Sequence, residues 1–156
     1  MDASVWQGNA IHRFKGRCIA MVSAYTQSPV WKKAHGLGAH VYRLTQYFPR
    51  ERERELVEQI RSDSQNITFH LERGFSESGL TDYLSCYKES YRAAVDLRRA
   101  MNISRYLGYV GDNVYEVLLR EIEDILTLIR REIRHLDHLN TALNADIAYN
   151  YTWIRW

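Results

Sequence analysis

The chain has 156 residues, of which 46% are hydrophobic and 26% charged, and its formal net charge is +2. This length predicts one domain that can bury a core without disulfide or metal support. The small net charge does not by itself indicate a nucleic-acid-binding protein. No apolar run approaches the ~18 residues of a membrane span, and Cys18 and Cys86 are too isolated for a zinc site. With no signal-peptide pattern near the N-terminus, these features predict a cytoplasmic protein without a membrane partner.

The first predicted helix spans about residues 29–48. Its apolar residues recur at intervals of three and four, which places them on one face of a helix. They are Ala34, Leu37, Val41, Leu44 and Phe48. Ser28 followed by Pro29 is typical of a helix start, and Pro49 ends the pattern. Because a helix with one apolar face needs partners to cover it, the rest of the chain is expected to supply further helices.

The second and third predicted helices follow after short connections. The second begins in the charged run at residues 50–55 and ends near Gly74, since glycine favours a helix C-terminus. Its apolar positions are Leu56, Ile60, Ile67 and Leu71. The third begins after Ser76 or Ser78 and ends at Gly108. Its apolar positions are Leu80, Leu84, Tyr87, Tyr91, Ala94 and Met101, and Arg98 falls on the same face as an exception.

The fourth predicted helix has the strongest apolar pattern in the chain. Asp112 can cap its start. Its apolar positions are Val114, Leu118, Ile122, Ile125, Ile129, Ile133 and Leu136, and the pattern can continue to Leu143. Four amphipathic helices joined by short loops place sequential neighbours antiparallel. The sequence therefore predicts an all-α, up-down-up-down four-helix bundle.

Two terminal segments lie outside this pattern. Residues 1–28 form an N-terminal extension, the bundle covers residues 29–143, and residues 144–156 form a C-terminal tail. The tail is rich in aromatic residues, whereas solvated tails are normally poor in them. We therefore expect it to pack back on the bundle or to bind a partner. In the second case Tyr151, Trp153 and Trp156 are the candidate partner-binding residues.

Several short segments of the bundle resemble those of a bacterial four-helix-bundle family. They are VWKKAH at residues 30–35, FP at 48–49, QIR at 59–61, GF at 74–75 and LGYV at 107–110. The family includes proteins encoded inside ribosomal-RNA intervening sequences. It also includes the accessory (Avd) proteins of diversity-generating retroelements. The resemblance covers about residues 29–137, and the segments VWKKAH and LGYV carry most of it.

The resemblance implies a homopentamer, with five bundles arranged as a tapered barrel around a central opening. It implies no enzymatic activity and no cofactor. Proteins of the retroelement branch bind a reverse transcriptase and nucleic acid, so the implied partners of this chain are RNA, or RNA with DNA, and a reverse transcriptase.

Arginines at one end of the predicted bundle are the candidate nucleic-acid-binding residues. The ends of helices one and three meet the starts of helices two and four there. The candidates are Arg98, Arg99, Arg105, Arg43, Arg50 and Arg54. Arginine binds phosphate through paired hydrogen bonds and gives salt-sensitive affinity. Only Asp96 offsets the three arginines of helix three nearby on that helix. A solvated surface with salt bridges between subunits is the other interpretation of these residues.

Two other functions remain open from the residues alone. Arg130 and His135 are spaced like the catalytic arginine and histidine of HEPN ribonucleases, in which histidine moves a proton near its pKa. Glu132 and His135 form half of a di-iron motif, but no second half occurs in the chain. The alternatives to a binding scaffold are thus a ribonuclease that uses Arg130 and His135, and a purely structural oligomer.

Overall fold

The computed structural model describes residues 25–49, 53–77 and 79–152, with side chains up to Thr141. These ranges contain four long helices, α1 (Pro29–Thr45), α2 (Arg54–Ser76), α3 (Leu80–Tyr106) and α4 (Asp112–Thr152), and residues 25–27 just before α1 are also helical. No strand occurs within them. The all-α prediction is confirmed, whereas the first 24 residues of the predicted extension lie outside the described part of the chain. None of the described helices is both long and apolar enough to cross a membrane.

The helices pack in cyclic order into an antiparallel four-helix bundle. Each contacts its neighbour in sequence, and α4 closes back on α1, so that α2 lies diagonally opposite α4. Contact is most extensive between α2 and α3 and least extensive between α1 and α4. The register of α1 against α2 is fixed at both ends. The Trp31 indole donates to Glu72 Oε1 (2.8 Å), and the Arg61 guanidinium donates to Thr45 Oγ1 (2.8 Å).

Helix α1 starts and packs as its sequence predicts. Pro29 is its first residue, and Ser28 precedes it with an extended backbone. Four of the five predicted apolar residues are buried, and Leu44 is partly buried. Phe48 lies beyond the helix and packs against the ring of Tyr109, with ring centroids 5.6 Å apart. The chain therefore stays attached to the core after the helix ends.

Helix α2 has buried polar positions where its apolar pattern breaks. Asp63 and Ser64 are both buried. The Ser64 hydroxyl donates to the carbonyl of Arg61 (2.9 Å), while Ser90 of α3 donates to the carbonyl of Ile67 (2.9 Å). These hydrogen bonds satisfy the hydroxyls and allow α2 and α3 to pack with small residues between them.

Helix α3 departs from its predicted pattern at both its start and its centre. The residue before it is Gly79, which makes no side-chain capping bond, and Ser76 belongs to α2. Leu97 is fully buried, although the predicted apolar face omitted it. Arg98 turns toward α4 and pairs with Glu123. Positions 97 and 98 are about 100° apart around a helix, so the burial of Leu97 places Arg98 at the side of the core face.

Helix α4 is much longer than its partners. The turn before it contains Gly108 at φ +76°, a backbone conformation that glycine adopts at little cost. The helix then runs for 41 residues, about 60 Å at 1.5 Å per residue. It continues through residues 144–152, which the sequence predicted as a separate tail, so most of that segment has a helical backbone.

Candidate nucleic-acid and partner interface

Four of the predicted nucleic-acid-binding arginines form ion pairs within the chain. Arg98 pairs with Glu123 at 2.6 Å and Arg105 with Asp112 at 2.9 Å, both across the α3–α4 contact. The other two pairs, Arg99 with Asp96 (2.9 Å) and Arg54 with Glu58 (2.8 Å), lie within one helix. Exposed pairs of this kind contribute about 0–1 kcal/mol, so a phosphate can compete for the guanidinium at small cost.

Arg43 differs from these four arginines because its side chain has no partner among the described residues. It is exposed on α1, and Arg50 lies outside the described part of the chain. Tyr47 follows Arg43 by one helical turn and is 86% exposed, while Tyr106 at the end of α3 is 91% exposed. This end of the bundle, hereafter the arginine end, thus presents guanidinium groups and two open aromatic rings.

Arg130 and His135 do not lie on the same side of α4. Arg130 donates to the Tyr91 hydroxyl (2.6 Å) and lies over its ring, 5.5 Å from the centroid. Because each residue turns a helix by about 100°, position 135 is rotated about 140° from position 130. Both residues are exposed. The backbone thus directs the two side chains of the ribonuclease hypothesis toward different faces of the helix.

A chain of aromatic rings lies at the opposite end of the bundle. Its successive members are His35, Trp31, Tyr25, Phe75, Tyr83 and Tyr87, with neighbouring ring centroids between 4.9 and 6.2 Å apart. Tyr83 donates to the Tyr87 hydroxyl (3.2 Å), and burial raises the pKa of both phenols. Three of these rings, Phe75, Tyr83 and Tyr87, line an open cavity of about 200 Å³ between the start of α1 and α4. Tyr87 belongs to the core, and Trp31 and Tyr83 pack against it, whereas His35 is exposed.

A second open groove of about 210 Å³, hereafter the α1–α4 groove, separates α1 from α4. Its lining residues are Lys32, Lys33, Gly36, Leu37, His40 and Glu121. Lys33 pairs with Asp124 (2.7 Å), and His40 Nδ1 lies 2.9 Å from Glu121. Gly36 has open space where a side chain would be, since nothing lies within 4 Å of an added Cβ. The groove therefore has an apolar floor and a charged rim.

The contact of α2 with α3 holds the two buried polar atoms that lack a partner among the described residues, Asp63 Oδ2 and His70 Nδ1. Asp63 accepts one hydrogen bond, from Gln59 (2.8 Å). Burial raises the pKa of Asp63, and the charge of Asp96 raises it further. Burial lowers the pKa of His70, while Glu89 of α3 opposes that change. Acidic groups of α3 thus lie close to α2 along this face.

Two candidate features remain, a metal site and the partner-binding residues near the C-terminus. No group of three or more histidine, cysteine or acidic residues in the described part of the chain is arranged to hold a metal ion. Tyr151 belongs to α4, of which only the backbone is described at that point, and Trp153 and Trp156 lie outside the described residues.

The fold and its surfaces define a small all-helical bundle with open grooves. The sequence model of the 23S rRNA-intervening sequence protein family matches residues 26–131, so the chain belongs to that family. A similar solved structure is a protein of unknown function from the S23 ribosomal protein family of Bacteroides thetaiotaomicron. It is 14% identical, with a TM-score of 0.62, and the match covers 67% of this chain and 97% of that one. No curated protein matches the chain.

Sequence reasoning placed Asp112 and Glu58 at the same end as the arginines and counted Asp96 on α3, but it missed Glu123, the partner of Arg98. The spacing of acids along α4 does not indicate which arginine each one meets, because that depends on the register of two helices. The α1–α4 groove was also missed. Its one signal in the sequence is Gly36, a glycine in a helix interior where alanine would be more favourable.

Proposed function

We propose that this protein is a non-enzymatic, cytoplasmic, oligomeric scaffold that binds RNA and a protein partner. The observation that carries the proposal is the composition of the arginine end, where Arg43 has no partner in the described chain and Tyr47 and Tyr106 are almost fully exposed. Single-stranded nucleic acid is bound by cationic groups that follow the phosphates and by aromatic rings on which bases stack. The arginine end offers both.

The predicted arginines divide into two groups under this proposal. Arg43 is available to a phosphate without displacing a carboxylate. Arg54, Arg99 and Arg105 bind phosphate by exchanging a solvent-exposed carboxylate partner, and Arg98 does so from a less exposed position. Arg50 is included from its place in the sequence. Each contact is weak, so useful affinity requires several copies of this surface to act together.

A ring of copies would supply that repetition, and we propose the homopentamer that the resemblance implies. Large apolar side chains that a monomer would normally cover support association. Besides the two tyrosines, the exposed set includes Tyr42, Phe69, Ile103, Leu107, Val114, Val117 and Leu139. These side chains are the apolar surface that contacts between copies would cover.

The proposed protein partner is the reverse transcriptase of a diversity-generating retroelement. This part rests on the resemblance to the retroelement accessory proteins, because the family match itself concerns the ribosomal-RNA branch. The continuation of α4 beyond the matched residues, together with Tyr151, Trp153 and Trp156, is the proposed contact for that partner. It contains few charges, which suits a protein surface better than a phosphate backbone.

The test is binding of the purified protein to transcripts of its own locus, measured over a range of salt concentrations. We expect an affinity that falls steeply with salt and weakens when Tyr47 and Tyr106 are both replaced by alanine. Arg120→Gln, on an exposed residue of α4 outside the arginine end, serves as the control for folding. An affinity that is absent or independent of salt would contradict the proposal. The same samples test the ribonuclease alternative, because cleavage of the transcript that His135→Ala abolishes would replace the scaffold with an enzyme.

A further inference from the structure

Phe69 and the α1–α4 groove are a projecting ring and an open recess on different sides of the same bundle. Phe69 lies on the outer surface of α2, where it is 56% exposed and its ring is 5.3 Å from that of His70. The groove lies between the two helices that contact each other least. The two features cannot meet within one chain, because α2 is diagonally opposite α4.

The groove has the size and chemistry to hold an aromatic ring. Its volume of about 210 Å³ exceeds the ~150 Å³ of an apolar cavity that accommodates benzene. The buried side chain of Leu37 and the bare backbone of Gly36 form its floor. Lys32 and Lys33 stand at its rim, and an ammonium group is attracted to the face of an aromatic ring.

Both features lie at the same height along the bundle axis. Helices α1 and α2 run antiparallel, so moving three residues back from Glu72 corresponds to moving about three residues forward from its partner Trp31. This places Phe69 level with Ala34. Counting from the Thr45–Arg61 contact places Phe69 level with Leu37. Those two positions span the centre of the groove.

Charged groups beside the two features are also complementary. Lys32, on the rim of the groove, bonds only the side chain of Gln27 among the described residues (3.2 Å). Glu89 of α3 lies near His70, the residue that follows Phe69 in α2. Its contact within the chain is with Arg92, an exposed residue one turn away. A second copy docked through Phe69 brings Lys32 of one chain toward Glu89 of the other.

We propose that the α1–α4 groove receives Phe69 of a second copy of this chain, in a head-to-tail interface that closes into a ring. Closure by rotation alone requires two different surfaces at equal height, and Phe69 and the groove meet that requirement. They are not diametrically opposite, because α2 is adjacent to α1, so successive copies turn around an axis. The inference rests on the proposed oligomer and assigns its interface.

Two single variants test the two halves of this interface separately. Phe69→Ala removes the projecting ring from an exposed position, and Gly36→Leu fills the groove at a site where an added side chain meets nothing nearby in the free chain. Because aromatic anchors of this kind contribute about 2 kcal/mol or more, each variant should weaken every contact by roughly 30-fold or more. We expect light scattering to show a closed assembly for the natural chain and monomers for both variants. Tyr106→Ala, which removes a ring that is 91% exposed at the arginine end, should keep the assembly.

A mixture of the two variants makes the test specific to head-to-tail contact. The Gly36→Leu chain keeps a functional Phe69, and the Phe69→Ala chain keeps an open groove. In an equal mixture, Phe69 of the Gly36→Leu chain can enter the groove of the Phe69→Ala chain, and no other contact of this kind can form. We therefore expect a complex of two chains and nothing larger. Circular dichroism of each variant confirms that it is folded.

Two results would overturn the assignment, and they can be told apart. If the natural chain forms a ring that both variants retain, the interface lies elsewhere and the proposed scaffold stands. If the natural chain is a monomer at all concentrations tested, both the interface and the oligomeric part of the proposed function fail.

Discussion

Gly74 of α2 and Cys86 of α3 approach so closely that a Cβ on Gly74 would lie 3.3 Å from the Cβ of Cys86. Sequence reasoning placed Gly74 near a helix end as a terminating residue. Gly74 lies in the last turn of α2, which ends at Ser76, and the absence of a side chain there also allows the two helices to meet. The tight contact between α2 and α3 therefore depends on this position.

Substitution of Gly74 should be harmful where substitution of another helical glycine is not. Alanine in a helix is more favourable than glycine by about 0.5–1 kcal/mol, but at Gly74 the added methyl group meets a carbon fixed to the backbone of α3. We expect Gly74→Ala to be less stable than Gly38→Ala by about 1–3 kcal/mol. A Cβ at Gly38 has nothing within 4 Å. Urea denaturation of the two variants measures the difference, and equal stabilities would refute this role of Gly74.

Burial along α4 predicts unequal effects of the same substitution at two leucines. Leu126 is fully buried, and Leu139 is 44% exposed beyond the middle of the helix. Leu126→Ala leaves a cavity in the core and should lower the free energy of unfolding by about 2–5 kcal/mol. Leu139→Ala should cost much less, since its side chain is largely in solvent already. Thermal denaturation of both variants measures the two losses of stability. A loss for Leu139→Ala as large as that for Leu126→Ala would show that the part of α4 around Leu139 is packed.

Asp63 should make the fold less stable as pH rises through the acidic range. The residue is only 6% exposed, its carboxylate has one hydrogen bond, and burial raises its pKa above the usual 3.8. The folded state therefore favours the protonated acid, so the contribution of Asp63 to stability is largest below pH 3.8 and is lost as pH rises through the raised pKa. Asp63→Asn should remove this pH dependence. It should raise the free energy of unfolding near neutral pH by about 1 kcal/mol, because a buried charged atom without a partner is costly.

Asp124→Asn provides the control for this experiment. Asp124 is exposed and pairs with Lys33, so its loss should slightly lower stability, by no more than about 1 kcal/mol. Denaturant titrations at several pH values compare the two variants with the natural chain. If Asp63→Asn destabilises the protein at neutral pH, the buried carboxylate has a stabilising partner.

Arg43 should contribute to RNA affinity through its charge. Arg43→Gln removes a guanidinium that has no partner in the described chain, and each lost phosphate contact lowers the slope of log affinity against log salt by about 0.7–0.9. Arg120→Gln, an exposed change near the middle of the bundle, should leave the slope unchanged. Fluorescence anisotropy with a labelled locus transcript measures both slopes. Equal slopes for the two variants would exclude Arg43 from the RNA surface.

The fold was predictable from the sequence because each helix has one apolar face, which its neighbours cover. The spacing of residues such as Leu37 and Val41 in α1, or Ile122 and Ile129 in α4, identifies that face without knowledge of the partner helices. The buried Asp63 could not be recognised in the same way. A polar residue within an apolar pattern indicates an interruption, and only the neighbouring α3 determines that this one is covered.

The candidate site was less predictable because it depends on contacts between helices. That Arg98 meets Glu123, or that Phe69 lies level with Leu37, follows from helix register and not from spacing within either helix. The position of Arg43 at one end of the bundle was predictable from topology. Its lack of a partner was not, since several acids occur nearby in the sequence.

The most direct test of the scaffold is the mass and absorbance of the natural chain purified at low salt. Size-exclusion chromatography with light scattering should give about five times the chain mass of 18.4 kDa. The ratio of absorbance at nucleic-acid and protein wavelengths should be raised, and high salt or nuclease should restore it to that of protein alone. A monomer with the absorbance of clean protein would contradict the account.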